Sequence, residues 1–258
     1  MRYRTLQYGV EDGVVTVALA RPEVSNALDA QMKSDLAHAL GRAAGDGRVV
    51  VLTGLGPAFC AGQDLGDAPN LRDVDLGRVQ REETGPLLAA LADCAAPVLA
   101  AVNGPAAGAG LALALAADVA VAAESVAFSL PNARIGLPPD SGLSWLLTRA
   151  VGPARARGMA LLAGTVDART AAAWGLIWEA APDARFAETV AARARMLADG
   201  PTAALVAARR LLREAAARDF DAQLEAEAEA AAEAGRGADF LEGVVARAEG
   251  RRPRFTGR

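Results

Sequence analysis

The pattern of apolar and polar positions predicts a chain that begins in a β-sheet. Residues 2 to 8 and 13 to 19 are rich in β-branched side chains, alternate in polarity and are separated by a Glu-Asp-Gly turn. Apolar residues then recur at helical spacing, in a stripe formed by Leu28, Met32, Leu36 and Leu40 with Ala39 and Ala43. The first elements are therefore predicted to be a β-hairpin and an amphipathic helix, with His38 outside the apolar stripe.

Short continuous apolar runs predict buried strands farther along the chain. The stretches "RVVVLTG" (48 to 54) and "PVLAAVNG" (97 to 104) are typical of such strands. Residues 70 to 93, between them, are predicted to be mostly helical with a break at Gly85-Pro86. Two shorter strands are predicted at "DVAVAA" and near "VAFSL".

The character of the chain changes after about residue 185. Alanine-rich segments separated by Gly-Pro or Asp-Phe predict consecutive helices up to about residue 235. We therefore predict two regions, a core of repeated ββα units in residues 1–195 and a C-terminal α-helical region in residues 196–258.

Composition narrows the classes of function. A content of 52% hydrophobic and 22% charged residues is ordinary for a globular protein, and a net charge of -4 argues against nucleic-acid and anionic-membrane surfaces. No apolar run reaches the roughly 20 residues of a membrane span, and no secretory signal is evident, so a cytoplasmic location is expected. Two cysteines and one histidine make a disulfide framework, a metal site and a Ser-His-Asp triad improbable.

Two glycine-bearing loops are the first candidates for chemistry. "NGPAAGAGLALAL" (103 to 115) has no reactive side chain, but Gly108-Ala109-Gly110 is placed to begin a helix, whose free N–H groups attract a negative oxygen. "FCAGQDL" (59 to 65) also follows a strand and can offer a second N–H group. Judged from the residues alone, the glycines fit tight packing as well as ligand binding, and their spacing is wrong for the dinucleotide fingerprint.

Together with "LARPEVSNAL" near the start and "RRPRFTGR" at the end, these loops make the sequence resemble the crotonase (enoyl-CoA hydratase/isomerase) superfamily. The resemblance implies an α/β fold, a crotonase-like spiral of repeated ββα units with a C-terminal helical trimerisation domain. It implies an acyl-CoA substrate, no separate cofactor because coenzyme A enters with the substrate, and a homotrimer or dimer of trimers. The backbone N–H groups of Gln63 and Ala109 would form an oxyanion hole for the thioester.

The same resemblance implies the remaining binding residues. The loop after the second strand would wrap coenzyme A, largely through backbone atoms, and Asp64 would shape the oxyanion loop. The residues predicted to bind substrate are Arg21, Asn26, Ala27, Ala61, Gly62, Asp64, Leu65, Gly108, Gly110 and Trp145.

Asp140, in "IGLPPDSG", is the candidate proton carrier. Hydratases of the family use two glutamates, and Ala112 and Asn132 stand at those places here. The "PD-x-G", "WGLIW" and "FTG" stretches are most similar to the isomerases of bacterial phenylacetate breakdown, which have a single catalytic aspartate. From the sequence alone, an aspartate just before a helix is also a common N-cap, and that alternative stays open.

A single carboxylate suits isomerisation, by a double-bond shift or by opening of a ring epoxide to an oxepin, better than hydration. Enoyl-CoA hydratase and a catalytically silent CoA-thioester binder are the alternatives.

Other residues have simpler expected roles. Cys60 is expected to be a small buried residue, and the acidic row Glu225, Glu229 and Glu233 is expected to form a solvent-facing helix surface. The tail arginines, which could meet CoA phosphates, are Arg247, Arg251, Arg252, Arg254 and Arg258; residues that could line the acyl pocket are Leu71, Val74, Val79, Trp145 and Leu146.

Overall fold

A computed structural model describes residues 3–66 and 74–257. The strands are β1 (Leu6–Glu11), β2 (Val14–Leu19), β3 (Val49–Gly54), β4 (Val98–Val102), β5 (Ala106–Ala107), β6 (Val119–Ala123), β7 (Ala127–Ser129), β8 (Thr165–Asp167) and β9 (Glu179–Ala181). The α-helices are α1 (Ala30–Asp46), α2 (Leu76–Val79), α3 (Gly85–Ala92), α4 (Ala109–Ala116), α5 (Leu143–Leu161), α6 (Ala168–Trp174), α7 (Phe186–Ala198), α8 (Thr202–Ala215), α9 (Phe220–Ala234) and α10 (Ala238–Ala248).

Six strands form one sheet in the order β1-β2-β3-β4-β6-β9, and β5, β7 and β8 form a second, smaller sheet. β1 and β2 are antiparallel, whereas the pairs from β2 to β9 are parallel. The parallel strands are buried on both sides, which explains their continuous apolar runs. Because β3 and β4 are adjacent and parallel, the loops that follow them leave the same edge of the sheet.

The hairpin is confirmed, but its first strand begins later than predicted, at Leu6. The N–H groups of Arg4 and Thr5 donate instead to the carboxylate of Asp35 on α1, at 3.1 and 3.2 Å. Asp12 and Gly13 then form the turn with positive φ angles of 47° and 78°. A side chain about 30 residues away therefore ends the strand pairing, which the local pattern could not indicate.

Helices cover both faces of the large sheet. α1 buries Met32, Leu36 and Leu40 against one face, in the main core. α7 packs Ala194 and Ala198 on the other face against side chains of β3, β4 and β6. The predicted apolar stripe of α1 is confirmed, and His38 is exposed, where its Nδ1 lies 2.9 Å from the Tyr3 hydroxyl.

The helix predicted between β3 and β4 changes geometry rather than breaking at Gly85-Pro86. α2 continues into a π-helical segment over Gln80–Thr84, which continues into α3. A proline in the first turn of α3 has no N–H to donate, so the preceding turn is free to widen. The π segment turns Glu83 toward α1 and places Thr84 in the interior.

Lys33 of α1 forms a buried ion pair with Glu83. Its side chain is 1% exposed, and its Nζ lies 2.9 Å from Glu83 Oε2. Glu83→Gln leaves this ammonium in the interior without a counter-charge, so we expect a loss of about 2 kcal/mol or more in the free energy of unfolding. Urea denaturation measures the loss. The control is Glu82→Gln, whose partner Arg78 is exposed, with an expected change of about 0.5 kcal/mol or less; equal effects of the two variants would contradict the assignment.

The helices predicted between residues 185 and 235 are confirmed as α7 to α9, and a further helix, α10, follows them. Several large apolar side chains of the last two helices are exposed, among them Phe220, Leu224, Phe240, Leu241 and Val244. The tail returns to the body of the protein, since the buried carboxylate of Asp239 accepts hydrogen bonds from the N–H groups of Thr256 and Gly257. No helix in the described part of the chain is both long and apolar enough to span a bilayer. The division into residues 1–195 and 196–258 stays a prediction.

Candidate active site

The loop after β3 is fixed by a short bridge to the segment before α1. Leu28 donates its N–H to Gly62 O at 2.8 Å and accepts from Asp64 N at 3.1 Å. In this parallel bridge the backbone N–H of the intervening residue, Gln63, points away from Leu28. Among the described residues the Gln63 N–H has no hydrogen-bond acceptor.

The loop after β3 and the loop after β4 are in direct backbone contact. Ala107 N donates to Cys60 O at 3.0 Å, and a Cβ on Gly110 would lie 2.2 Å from the same Cys60 oxygen. Gly62 has a φ of +105°, and a Cβ there would lie 2.7 Å from Ala107 O and 3.3 Å from Ala109 N. Only glycine permits this approach, which places the residue before Gln63 directly against the Ala109 amide.

The second amide belongs to the first residue of α4. Gly108 precedes it with a φ of 50°, and its own N–H is held by Ser129 O at 3.1 Å. The Ala109 N–H has no intrahelical acceptor, and within the described ranges none is found elsewhere. It carries the positive end of the α4 dipole, which favours a negatively charged oxygen at this position.

Asn132 connects this site to the loop that carries Asp140. The Asn132 side chain is buried, its Nδ2 donates to Pro138 O at 3.0 Å, and its Oδ1 lies 3.8 Å from the Cβ position of Gly108. Asn132 thereby braces the loop two residues before Asp140 and lies beside the turn that begins α4. Sequence reasoning recognised Asn132 only as a missing glutamate and missed this role, because no local pattern indicates a side chain bonded to Pro138 O.

Asp140 is not the N-cap of α5. Gly142 holds that place, with a φ of 74°, after Ser141 with a φ of 51°. These two left-handed residues turn the chain, so that Asp140 bonds the helix only through its backbone oxygen, which accepts from Leu143 N. Asp140 Oδ1 is buried and has no hydrogen-bond partner in the described part of the chain. The alternative interpretation of Asp140 as a capping residue is therefore wrong.

Gln80 stabilises this strained turn from the π-helical segment. Its Oε1 accepts the Ser141 N–H at 3.1 Å. A non-glycine residue in the left-handed region costs about 1 to 3 kcal/mol, so the turn needs such support. Gln80 is a second functional residue that sequence reasoning missed, since it lies about 60 residues from its partner.

The predicted CoA loop is braced by its own side chains. Arg21 Nη1 donates to Ala27 O and to Asp64 Oδ2, at 2.7 and 2.8 Å. The buried Asn26 accepts from Arg21 N and donates to Leu55 O and Ala58 O, so its side chain joins this loop to the loop after β3. Asp64 Oδ1 accepts from Gly66 N at 2.8 Å, and Asp64 therefore shapes the loop as predicted. Ala61 and Leu65 are exposed beside it.

An apolar cavity of about 630 Å³ lies beside the Asp140 turn. Trp145 and Leu146 line it, together with Leu88 of α3 and Leu212 of α8. The Arg149 guanidinium covers the Trp145 ring at 3.9 Å from its centroid. Of the other predicted pocket walls, Val79 is nearly buried and Val74 half-buried, while Leu71 lies outside the described residues.

Cys60 is fully buried between the two loops, and burial raises the pKa of its thiol to about 12. The pKa of Cys94 is also raised by burial. Because only the thiolate is a strong nucleophile, we expect iodoacetamide to leave both cysteines unmodified at pH 8 in the folded protein and to alkylate both in urea. Mass spectrometry measures the modification, and rapid labelling of Cys60 in the native state would contradict its burial.

Of the tail arginines that could meet CoA phosphates, Arg251 is engaged in ion pairs. Arg251 pairs with Glu242 and Glu249, each at 2.6 Å, and Arg247 lines a cavity between α8 and α10. Arg258 lies outside the described residues. The predicted acidic row of α9 is exposed, as expected: Glu225, Glu229 and Glu233.

Comparison with known proteins agrees with this geometry. The sequence model of the enoyl-CoA hydratase/isomerase family matches residues 9–258. The chain belongs to the enoyl-CoA hydratase/isomerase family, and it therefore has the crotonase fold and an acyl-CoA thioester as its class of substrate.

Two relatives differ in the reaction that their names give. A protein of Rhodobacter capsulatus named probable enoyl-CoA hydratase is 52% identical over all of both chains. The 1,2-epoxyphenylacetyl-CoA isomerase of Escherichia coli is 42% identical, over 96% of this chain and 97% of its own. A crystal structure from Mycobacterium abscessus superposes with a TM-score of 0.91 at 41% identity, covering 98% of this chain and 100% of that one.

Proposed function

We propose that the protein is an acyl-CoA isomerase in which Asp140 moves a proton along the acyl group while the Gln63 and Ala109 amides hold the thioester oxygen. The observation that carries the proposal is the buried Oδ1 of Asp140, which has no hydrogen-bond partner among the described residues and lies on a loop braced by Asn132 beside Gly108. The side chains at 112 and 132 are a methyl group and an amide, neither of which can carry the proton.

The proposed steps need no second acid. In a 3-enoyl thioester, the Asp140 carboxylate takes a proton from C2, and the electrons of that C–H bond form a dienolate whose negative oxygen lies between the two amides. The carboxylic acid then returns the proton to C4, and the double bond comes to lie between C2 and C3. No atom is gained or lost, and Asp140 ends ionised, as it began.

A ring epoxide of an arylacetyl thioester, opened to an oxepin, is a second substrate class for the same site. The 42% identical isomerase is named for such a substrate. Trp145 and the apolar cavity beside it offer walls for a ring. We place this reaction within the proposal together with the double-bond shift.

Hydration is the alternative reaction, and the name of the 52% identical relative favours it. A panel of CoA thioesters distinguishes the possibilities: 3-hexenoyl-CoA and a ring-1,2-epoxyphenylacetyl-CoA for isomerisation, and crotonyl-CoA for hydration. We expect turnover of at least one of the first two at a rate well above water addition to crotonyl-CoA. Faster hydration would contradict the proposal, and binding of CoA thioesters without any turnover would indicate a silent binder.

The exposed apolar faces of the C-terminal helices are proposed to form contacts between subunits. Phe220 of α9 and Phe240 and Leu241 of α10 are each more than half exposed in the single chain. Burying them in a trimer, or in a dimer of trimers, removes this apolar surface from water. Sedimentation equilibrium measures the assembly.

A further inference from the structure

Thr84 faces the turn that precedes α5. Gln80 lies about one helical turn before Thr84, in the π-helical segment, and Leu88 lies one turn after it, in α3. Gln80 Oε1 bonds Ser141 N, and a Cβ on Gly142 would lie 4.0 Å from Leu88 Cδ1. Because Gln80 and Leu88 contact residues 141 and 142, the buried Thr84 side chain between them is expected to face the same turn.

The side-chain oxygens near this turn lack partners. Thr84 is 2% and Ser141 3% exposed, and neither hydroxyl has a hydrogen bond within the described part of the chain. Among the described residues, four side-chain oxygens are buried and have no hydrogen-bond partner. They belong to the oxyanion loop, the Asp140 turn or the facing helix: Gln63 Oε1, Thr84 Oγ1, Asp140 Oδ1 and Ser141 Oγ. Buried polar groups are nearly always bonded, so the unpartnered oxygens of Asp140, Ser141 and the facing Thr84 point to a ligand that bonds them.

We propose that the hydroxyls of Thr84 and Ser141 recognise an oxygen atom of the acyl group. The inference rests on the proposed function, which brings the acyl group to Asp140. Two O–H donors suit a neutral acceptor such as an ether or hydroxyl oxygen, whereas the neighbouring Asp140 carboxylate repels an anionic one. The favoured substrates are acyl-CoA thioesters with such an oxygen close to the reacting carbons, and a hydrocarbon chain leaves both hydroxyls unpaired.

The rest of the acyl group meets an apolar wall. Ser141 and Gly142 also line the cavity formed by Leu88, Trp145 and Leu146. Ser141 thus follows Asp140 in the chain and lines the apolar cavity. An acyl group that fits this arrangement has a single oxygen near its thioester end and a hydrocarbon portion beyond it.

Saturated thioesters test the inference without any turnover. Calorimetry compares hexanoyl-CoA with its 3-oxa, 4-oxa and 5-oxa analogues, in which one CH₂ is replaced by an ether oxygen of similar size. We expect at least one oxa analogue to bind wild-type protein about 5- to 10-fold tighter than hexanoyl-CoA. Thr84→Val and Ser141→Ala should each reduce that preference severalfold while leaving hexanoyl-CoA binding the same or tighter.

Thr148→Val is the matched control, because the Thr148 hydroxyl is exposed and donates to Ser144 O within α5. It should keep the preference. Equal affinity of all four thioesters for wild-type protein would overturn the inference. So would an equal loss for oxa and hexanoyl thioesters in Thr84→Val, which would mean that the hydroxyls hold a water molecule or only support the fold. Isomerase activity is measured separately, by turnover. Either result can therefore overturn this inference without overturning the proposed function.

Discussion

Asp140→Asn should reduce isomerisation of a 3-enoyl thioester by about 100-fold or more, with little change in the affinity for saturated acyl-CoA. The amide keeps the shape of the carboxyl group but has no basic oxygen that can accept a proton from C2. Asp140 Oδ1 has no bond to protein groups in the described ranges that the substitution could break, so the fold should be unaffected. The measurement is kcat and KM for 3-hexenoyl-CoA, with calorimetry of hexanoyl-CoA as the binding readout.

Asp167→Asn is the control for this variant. Asp167 is an exposed N-cap residue that accepts from Thr170 N, so the same change there should alter kcat by less than about twofold. Unchanged isomerisation by Asp140→Asn would show that another group moves the proton. Loss of hexanoyl-CoA binding together with activity would mean that Asp140 supports the site rather than acting as its base.

Gly62→Ala should reduce kcat by about 100- to 1,000-fold, the usual effect of losing one oxyanion donor. The added methyl group would lie 2.7 Å from Ala107 O, and the φ of +105° is one that alanine rarely adopts. The loop must therefore move, and the Gln63 N–H moves with it away from the Ala109 N–H. A conjugated enoyl-CoA bound to the protein reports this directly, because a polarised thioester carbonyl absorbs at longer wavelength and the shift should shrink in the variant.

Gly41→Ala is the matched control, since no atom lies within 4 Å of the added Cβ on the exposed side of α1. It should keep activity and gain up to about 1 kcal/mol of stability because alanine favours a helix. Full activity and an unchanged absorption shift in Gly62→Ala would remove the Gln63 amide from the oxyanion hole. Circular dichroism verifies that both variants are folded.

Much of the fold follows from local pattern, as do the two glycine loops. The apolar runs of β3 and β4 indicate buried strands, and Gly108-Ala109-Gly110 indicates a helix that begins with free amides. What the pattern could not show are the contacts that place Asp140. Asn132 and Gln80 act through side-chain bonds to backbone groups of the 138–141 loop, and such bonds depend on tertiary packing.

The Asp140 turn illustrates why the capping interpretation was wrong. An aspartate followed by Ser-Gly and an apolar run is a common beginning of a helix, and the local chemistry is the same in both cases. The difference lies in two successive positive φ angles, at Ser141 and Gly142, which move the helix start beyond Asp140. Serine does not favour this left-handed conformation, so the sequence gives no sign that Ser141 adopts it.

Because the proposed oxyanion donors are main-chain amides, an alanine scan would overlook them. Substitution of Gln63 by alanine keeps its N–H, and residue 109 is already alanine. The side chains at these two positions can therefore vary between homologous enzymes without loss of the hole, while the neighbouring glycines cannot. Replacing a backbone amide by an ester, through chemical ligation or an α-hydroxy acid, is the substitution that removes one donor and nothing else.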